Sequence, residues 1–147
     1  MLIRHQCEKM GAKKIFVVED DLVLLETILN VLNQHGYEAK GTYHTDGILE
    51  IIQAFEPDLL ILDYMLTDWN GGELCGAVRG LNGFEYKPII IMSAYTNILY
   101  GLKDYGCDAI LNKPFDIDKL LTVVETLMIA RRSDSGLFPK LKRLPLN

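Results

Sequence analysis

Short, nearly unbroken apolar runs recur along the chain, and each is followed by a segment with apolar residues at helical spacing. Residues 14–18 (KIFVV) form the first run. Leu22, Leu25, Ile28, Leu29 and Leu32 then recur at intervals of three and four, with Gly36 as a stop, which predicts a helix. Residues 37–40 (YEAK) make a weak second strand. Thr45 is placed to cap a helix carrying Ile48, Leu49, Ile51, Ile52 and Phe55, and Pro57 stops that helix. Strand three is 58–62 (DLLIL), and 63–72 (DYMLTDWNGG) reads as a loop. A glycine-weakened helix with Leu74, Val78 and Leu81 follows. Pro88 opens strand four (IIIM), 96–105 reads as a helix ending at Gly106, and 109–111 (AIL) is strand five. Asp116 or Asp118 starts a last helix rich in Leu120, Leu121, Val124, Leu127 and Met128.

The strands are continuously apolar rather than alternating. Strands of that kind are buried on both faces, as in a parallel sheet covered by helices. Right-handed crossovers leave few arrangements for such units. The pattern therefore predicts an α/β (βα)5 three-layer sandwich, for which the flavodoxin-like sheet order 2-1-3-4-5, the one expected here, is one of the two common arrangements. The expected domain runs from 13 to 131, between an N-terminal extension (1–12) and a C-terminal tail (132–147).

Charge adds one asymmetry. The net charge is −5, which argues against a domain body that wraps nucleic acid. From Arg131 to the end there are five basic residues and one acidic, so the preceding part carries −9. That tail reads as a solvated extension or a docking segment for an acidic partner. With only this tail after the last helix, no DNA-binding output domain and no direct DNA binding are expected. The three cysteines (Cys7, Cys75, Cys107) are widely spaced without CxxC, which supports neither a zinc site nor a redox pair. The apolar runs are too short to span a bilayer, and the N-terminus lacks an apolar run of signal-peptide length. A cytoplasmic protein without membrane insertion is the expectation.

Candidate chemistry lies where the apolar runs end. Glu19–Asp20 follow IFVV, Asp63 follows LLIL, Ser93 follows IIIM and Lys113 follows AILN. In open α/β sheets the carboxyl ends of the strands are where ligands bind. Carboxylates from strands one and three, neighbours in the expected order, repel one another unless a cation neutralises them. Hard oxygen ligands favour Mg²⁺. Asp21 can instead cap the first helix. An aspartate placed like Asp63 can act as a nucleophile toward phosphorus, with Mg²⁺ and Lys113 offsetting charge on the transferring oxygens and Ser93 bonding one of them. Pro114 after Lys113 can carry a cis peptide bond that fixes the lysine's direction.

The segments VVEDD, PDLLILDYML, MSA and NKPF, in this order and at these spacings, resemble the response-regulator receiver domain family over roughly residues 13 to 131. The resemblance implies two-component signalling. Asp63 would be the phosphoacceptor, charged by a sensor histidine kinase or a histidine phosphotransfer protein. Glu19, Asp20 and the Met65 backbone carbonyl would hold Mg²⁺ with Asp63, and Ser93 and Lys113 would read the phosphoryl group. Phosphorylation would switch affinity for an unidentified downstream protein, with no enzymatic activity beyond the domain's own phosphorylation and dephosphorylation. Two positions depart from the family pattern. Ile110 stands where an aromatic switch is common, and Thr67 where proline is. Tyr95 and Met65 would flank the path of an attacking water and modulate loss of the phosphoryl group. Leu99 and Tyr100 are candidates for an exposed docking face. A pseudo-receiver that keeps the fold without switching and an aspartyl-nucleophile phosphatase are the alternatives. The phosphatase reading lacks a second aspartate two residues after Asp63 and has no room for a cap insertion.

Overall fold

The computed structural model describes residues 11–95 and 106–134. Five strands, β1 (Lys14–Val18), β2 (Glu38–Thr42), β3 (Leu59–Asp63), β4 (Ile89–Ser93) and β5 (Ala109–Asn112), form one sheet in the order β2-β1-β3-β4-β5. Every pairing is parallel. Among the described residues the helices are α1 (Leu22–Gln34), α2 (Ile48–Phe55), α3 (Gly71–Arg79) and α4 (Ile117–Asp134). The expected order is thus observed. The helix anticipated at 96–105, with Leu99 and Tyr100, lies outside the described residues.

The side-chain period of two explains why the runs are apolar throughout. Ile15, Val17, Ile61, Ile90 and Leu111 point to one face and pack with Leu25, Ile28 and Leu32 of α1 and Leu120 and Val124 of α4. Phe16, Val18, Leu60, Leu62, Ile91 and Ile110 point to the other face and pack with Ile52 of α2 and Leu74 and Val78 of α3. At about 1.5–3 kcal/mol for each large apolar side chain fully buried, these two layers dominate the stabilisation of the sheet. They also fix its register, because a slip of one residue would exchange the layers.

Local corrections have local causes. Strand β2 starts at Glu38 and runs to Thr42, beyond the weak YEAK signal. Its extension depends on Gly41, where a Cβ would sit 2.4 Å from the Val17 carbonyl oxygen. Asn33 of α1 accepts from the Ala39 N–H at 2.9 Å and donates to its carbonyl at 3.2 Å, satisfying that residue of the open edge. Thr45 is not the side-chain cap of α2: Gly47 takes that position with φ 62°, and no side-chain cap bond forms. The Thr45 hydroxyl instead donates to Asp68 Oδ2 at 3.4 Å.

Helix α3 begins at Gly71, inside the expected loop, because Asn70 accepts from the Glu73 N–H at 2.7 Å and caps it. Leu81 falls beyond the end of α3. Arg79 closes that end, donating to the carbonyls of Phe84, Lys87 and Gly106 and to Asp108 Oδ2. Helix α4 runs to Asp134, past the boundary anticipated at 131.

Candidate functional site

Three strand ends deliver the central groups. β1 leads directly into Glu19, β3 ends in Asp63, and Lys113 follows β5. The Glu19 N–H donates to the Thr42 carbonyl at 3.2 Å, which continues the β1–β2 ladder by one residue and turns the side chain inward. The Lys113 N–H donates to the Ser93 carbonyl at 2.8 Å and does the same for β5 against β4. Lys113 Nζ then reaches across the sheet edge, donating to Glu19 Oε2 at 2.8 Å and to Asp63 Oδ1 at 3.1 Å. The Lys113–Pro114 peptide bond is cis.

Glu19 is fully buried and Asp63 nearly so, while Asp20 is exposed. One carboxylate oxygen from each of the three lies within 4.8 Å of the others. Asp21 belongs to the helix: its side chain accepts from the N–H groups of Val23 and Leu24. Its own N–H donates to Glu19 Oε1 at 3.1 Å.

The electrostatics of this cluster are unbalanced. Burial pushes Glu19 up to about 7 against the Lys113 hydrogen bond that opposes it, and the Asp63 charge adds to the rise. Burial also raises Asp63, again against the pull of Lys113. Burial alone would lower Lys113, but its hydrogen bonds to Glu19 and Asp63 hold it above its ordinary value. Three carboxylates thus cluster around one ammonium, a deficit of positive charge. Hard oxygen donors at this spacing fit Mg²⁺, which takes one or two carboxylates and keeps several waters.

The remaining expected residues surround this centre. Ser93 is buried at the end of β4, but its hydroxyl is engaged with its own loop. It accepts from the Tyr95 N–H at 3.0 Å and donates to the Tyr95 carbonyl at 3.3 Å. Met65 and Tyr95 are each about half exposed, at 54% and 52%, so neither side chain belongs to the core. Met65 also bridges to Asn70. Ile110 packs into the apolar layer of α2 and α3.

Gly71 was not singled out by sequence, although the NGG at 70–72 was its signal. A Cβ there would lie 2.6 Å from the Asp63 carbonyl oxygen and 2.8 Å from Tyr64 Cα. The Gly71 N–H also donates to the Tyr64 carbonyl at 2.8 Å. Helix α3 therefore presses its first residue onto the backbone that carries Asp63. Gly71→Ala is expected to destabilise the protein by about 2 kcal/mol, a usual cost for overpacking. Urea unfolding checks this, and an unchanged midpoint would refute the close contact.

The response regulator receiver domain model matches residues 15–125. The response regulator MprA of Mycobacterium tuberculosis (strain ATCC 25177 / H37Ra) is 31% identical over 118 residues, covering 78% of this chain and 50% of that protein. The chain thus spans about half the length of the curated relatives it matches. Among solved structures, a CheY-like receiver domain protein from Methanospirillum hungatei aligns with TM-score 0.76 at 24% identity, covering 85% of this chain and 99% of that one. The response regulator TrrA of Thermotoga maritima, solved in complex with Mg²⁺ and beryllofluoride, aligns with TM-score 0.69 at 28% identity, covering 78% and 98%.

Proposed function

The chain belongs to the response regulator receiver domain family, and from that membership we propose that it accepts a phosphoryl group on Asp63 from a histidine kinase or histidine phosphotransfer protein. The observation that carries this reading is the buried Asp63 carboxylate, held by one ammonium and clustered with two further carboxylates. In the proposed step an Asp63 carboxylate oxygen attacks phosphorus and forms an acyl phosphate. The P–N bond of the donor phosphohistidine breaks, and its electron pair returns to the imidazole. Glu19, Asp20 and Asp63, with the Met65 carbonyl, would hold Mg²⁺. When bound, Mg²⁺ supplies charge neutralisation at the transferring oxygens. Lys113 is already aimed at the Asp63 carboxylate and would follow the phosphoryl oxygens. The Mg²⁺ and beryllofluoride held by the Thermotoga maritima relative support binding of Mg²⁺ and a phosphoryl group here.

Phosphorylation would then shift the domain between two states of different partner affinity. A downstream protein partner and a cytoplasmic location complete the proposal. No helix among the described residues is long and apolar enough to cross a membrane. The test is incubation with Mg²⁺ and acetyl phosphate, followed by intact mass. One added phosphoryl group, dependent on Mg²⁺ and removed by hydroxylamine, is the expected result. No gain in mass would overturn the reading.

Ile110 gives the pseudo-receiver reading its one support, because it is packed among apolar neighbours and has no group to hydrogen-bond. Labelling without any change in conformation would favour that alternative.

The exposed Met65 and Tyr95 bear on how long the phosphoryl group lasts. Neither side chain is a good base at neutral pH, so neither activates water. Met65→Asn combined with Tyr95→Glu is expected to speed loss of the phosphoryl group by roughly tenfold, less than a fully positioned general base contributes. A phosphate-release assay showing no acceleration would remove both residues from this role.

A further inference from the structure

Asn112, the last residue of β5, carries the one buried side-chain polar atom without a hydrogen bond among the described residues, its Oδ1. A buried carbonyl oxygen left unpaired is costly, and native proteins pair most such groups. Its place in the sheet suggests what the oxygen is for. Asn112 is in register with Ser93 of the adjacent strand β4. Ile110 and Ile91, two residues before each, both belong to the layer packed by α2 and α3. By the period of two, Asn112 and Ser93 project from that same face, on strands about 4.8 Å apart.

Ser93 cannot bond a phosphoryl oxygen while its hydroxyl donates to the Tyr95 carbonyl. A serine hydroxyl has a single proton to donate. Turning it toward Asp63 also carries away the acceptor of the Tyr95 N–H. The backbone of the β4 exit would then hold an unpaired donor beside an unpaired acceptor on β5.

We infer that Asn112 is the switch residue of this chain: its side-chain carbonyl receives the Tyr95 N–H when Ser93 turns to the phosphoryl group. This rests on Asp63 being the phosphoacceptor. It passes the event from β4 to β5 by a polar contact, at a sheet edge where Ile110 has nothing to hydrogen-bond. Asn112 acts here as a positioning residue that does not touch the reacting atoms.

The experiment compares wild type, Asn112→Val and Asn112→Thr. Valine and threonine have nearly the same shape, but only threonine keeps an oxygen acceptor. Beryllofluoride with Mg²⁺ serves as the phosphoryl mimic, and the Tyr95 backbone amide is followed by NMR. Acetyl phosphate labelling is measured in parallel. In wild type the Tyr95 amide is expected to shift on addition of the mimic. In Asn112→Val the wild-type shift is replaced by a move toward the position of an unbonded N–H while labelling continues, and Asn112→Thr keeps a substantial part of the wild-type shift. A full wild-type shift in Asn112→Val overturns the inference, and so does equal loss in the Val and Thr variants, which would make shape rather than the acceptor the cause. If wild type neither labels nor responds to the mimic, the assignment of Asp63 fails, and the role of Asn112 falls with it. Labelling of wild type without a Tyr95 response overturns the Asn112 assignment alone.

Discussion

Asp63→Asn is expected to abolish Mg²⁺-dependent labelling by acetyl phosphate and, in the metal-free protein near neutral pH, to raise stability. The first effect follows from chemistry, since the amide that replaces the carboxylate is no nucleophile toward phosphorus. The second follows from the charge imbalance. Glu19 is raised from 4.5 to about 7, with burial the largest cause and the Asp63 charge a smaller one. A carboxyl whose folded value lies above its unfolded value binds more protons in the folded state between the two. Its contribution to stability therefore falls as pH rises from about 4.5 toward 7. Removing the Asp63 charge relieves only part of that penalty, so the expected gain near pH 7 is about 1 kcal/mol, less than one pKa unit's worth. The gain shrinks toward pH 4.5, where Glu19 is protonated in both proteins. Millimolar Mg²⁺ should stabilise wild type more than the variant, because the variant lacks one of three ligand carboxylates. Thermal unfolding with and without Mg²⁺, across pH, reads all of this. Labelling of Asp63→Asn at the wild-type rate would refute the central assignment. A variant less stable than wild type near neutral pH would show that the cluster is not strained by its own charge.

The topology was legible because burial on both faces leaves a simple record in sequence. A strand such as 59–62 has no polar residue to place on either side, and both core layers confirm why. The polar residues that end such runs were equally visible, and Glu19, Asp63 and Lys113 meet as their positions implied. What sequence could not show depends on distance rather than residue type. Gly41 and Gly71 matter because another backbone passes within about a bond length or two of where a Cβ would be, as expected of glycine at close approaches. Thr45 and Gly47 compete for one helix start, and the turn chose the residue that tolerates positive φ. Ser93 ends β4 as expected, yet nothing local indicated that its hydroxyl would be held by Tyr95. Asn112 carries no signal in sequence, because an asparagine before a lysine is ordinary until its side-chain carbonyl is found buried.

Lys113→Met is the substitution expected to cost the most stability. Methionine keeps much of the length and apolar volume of the side chain but removes the ammonium. Glu19 and Asp63 are then two buried carboxylates without a counter-ion, since Lys113 forms the ion pairs with both. Leaving a buried charge unpaired costs about 3 kcal/mol or more, and that is the expected loss near pH 8. Two conditions should shrink it. Lowering the pH protonates Glu19, which already sits at about 7 with the ammonium present and rises further without it. Near pH 5 one of the two charges is gone, so less than half the penalty, roughly 1 kcal/mol, should remain. Mg²⁺ at neutral pH should have a similar effect, because a divalent cation on Glu19, Asp20 and Asp63 replaces the lost positive charge. Urea unfolding at the two pH values, with and without Mg²⁺, separates electrostatics from packing. A cost that stays constant across all conditions would mean that the Lys113 side chain matters for its contacts and not its charge. The cost of the substitution should instead track the charge on the carboxylates, which is the same quantity that Mg²⁺ and a phosphoryl group on Asp63 would alter in function.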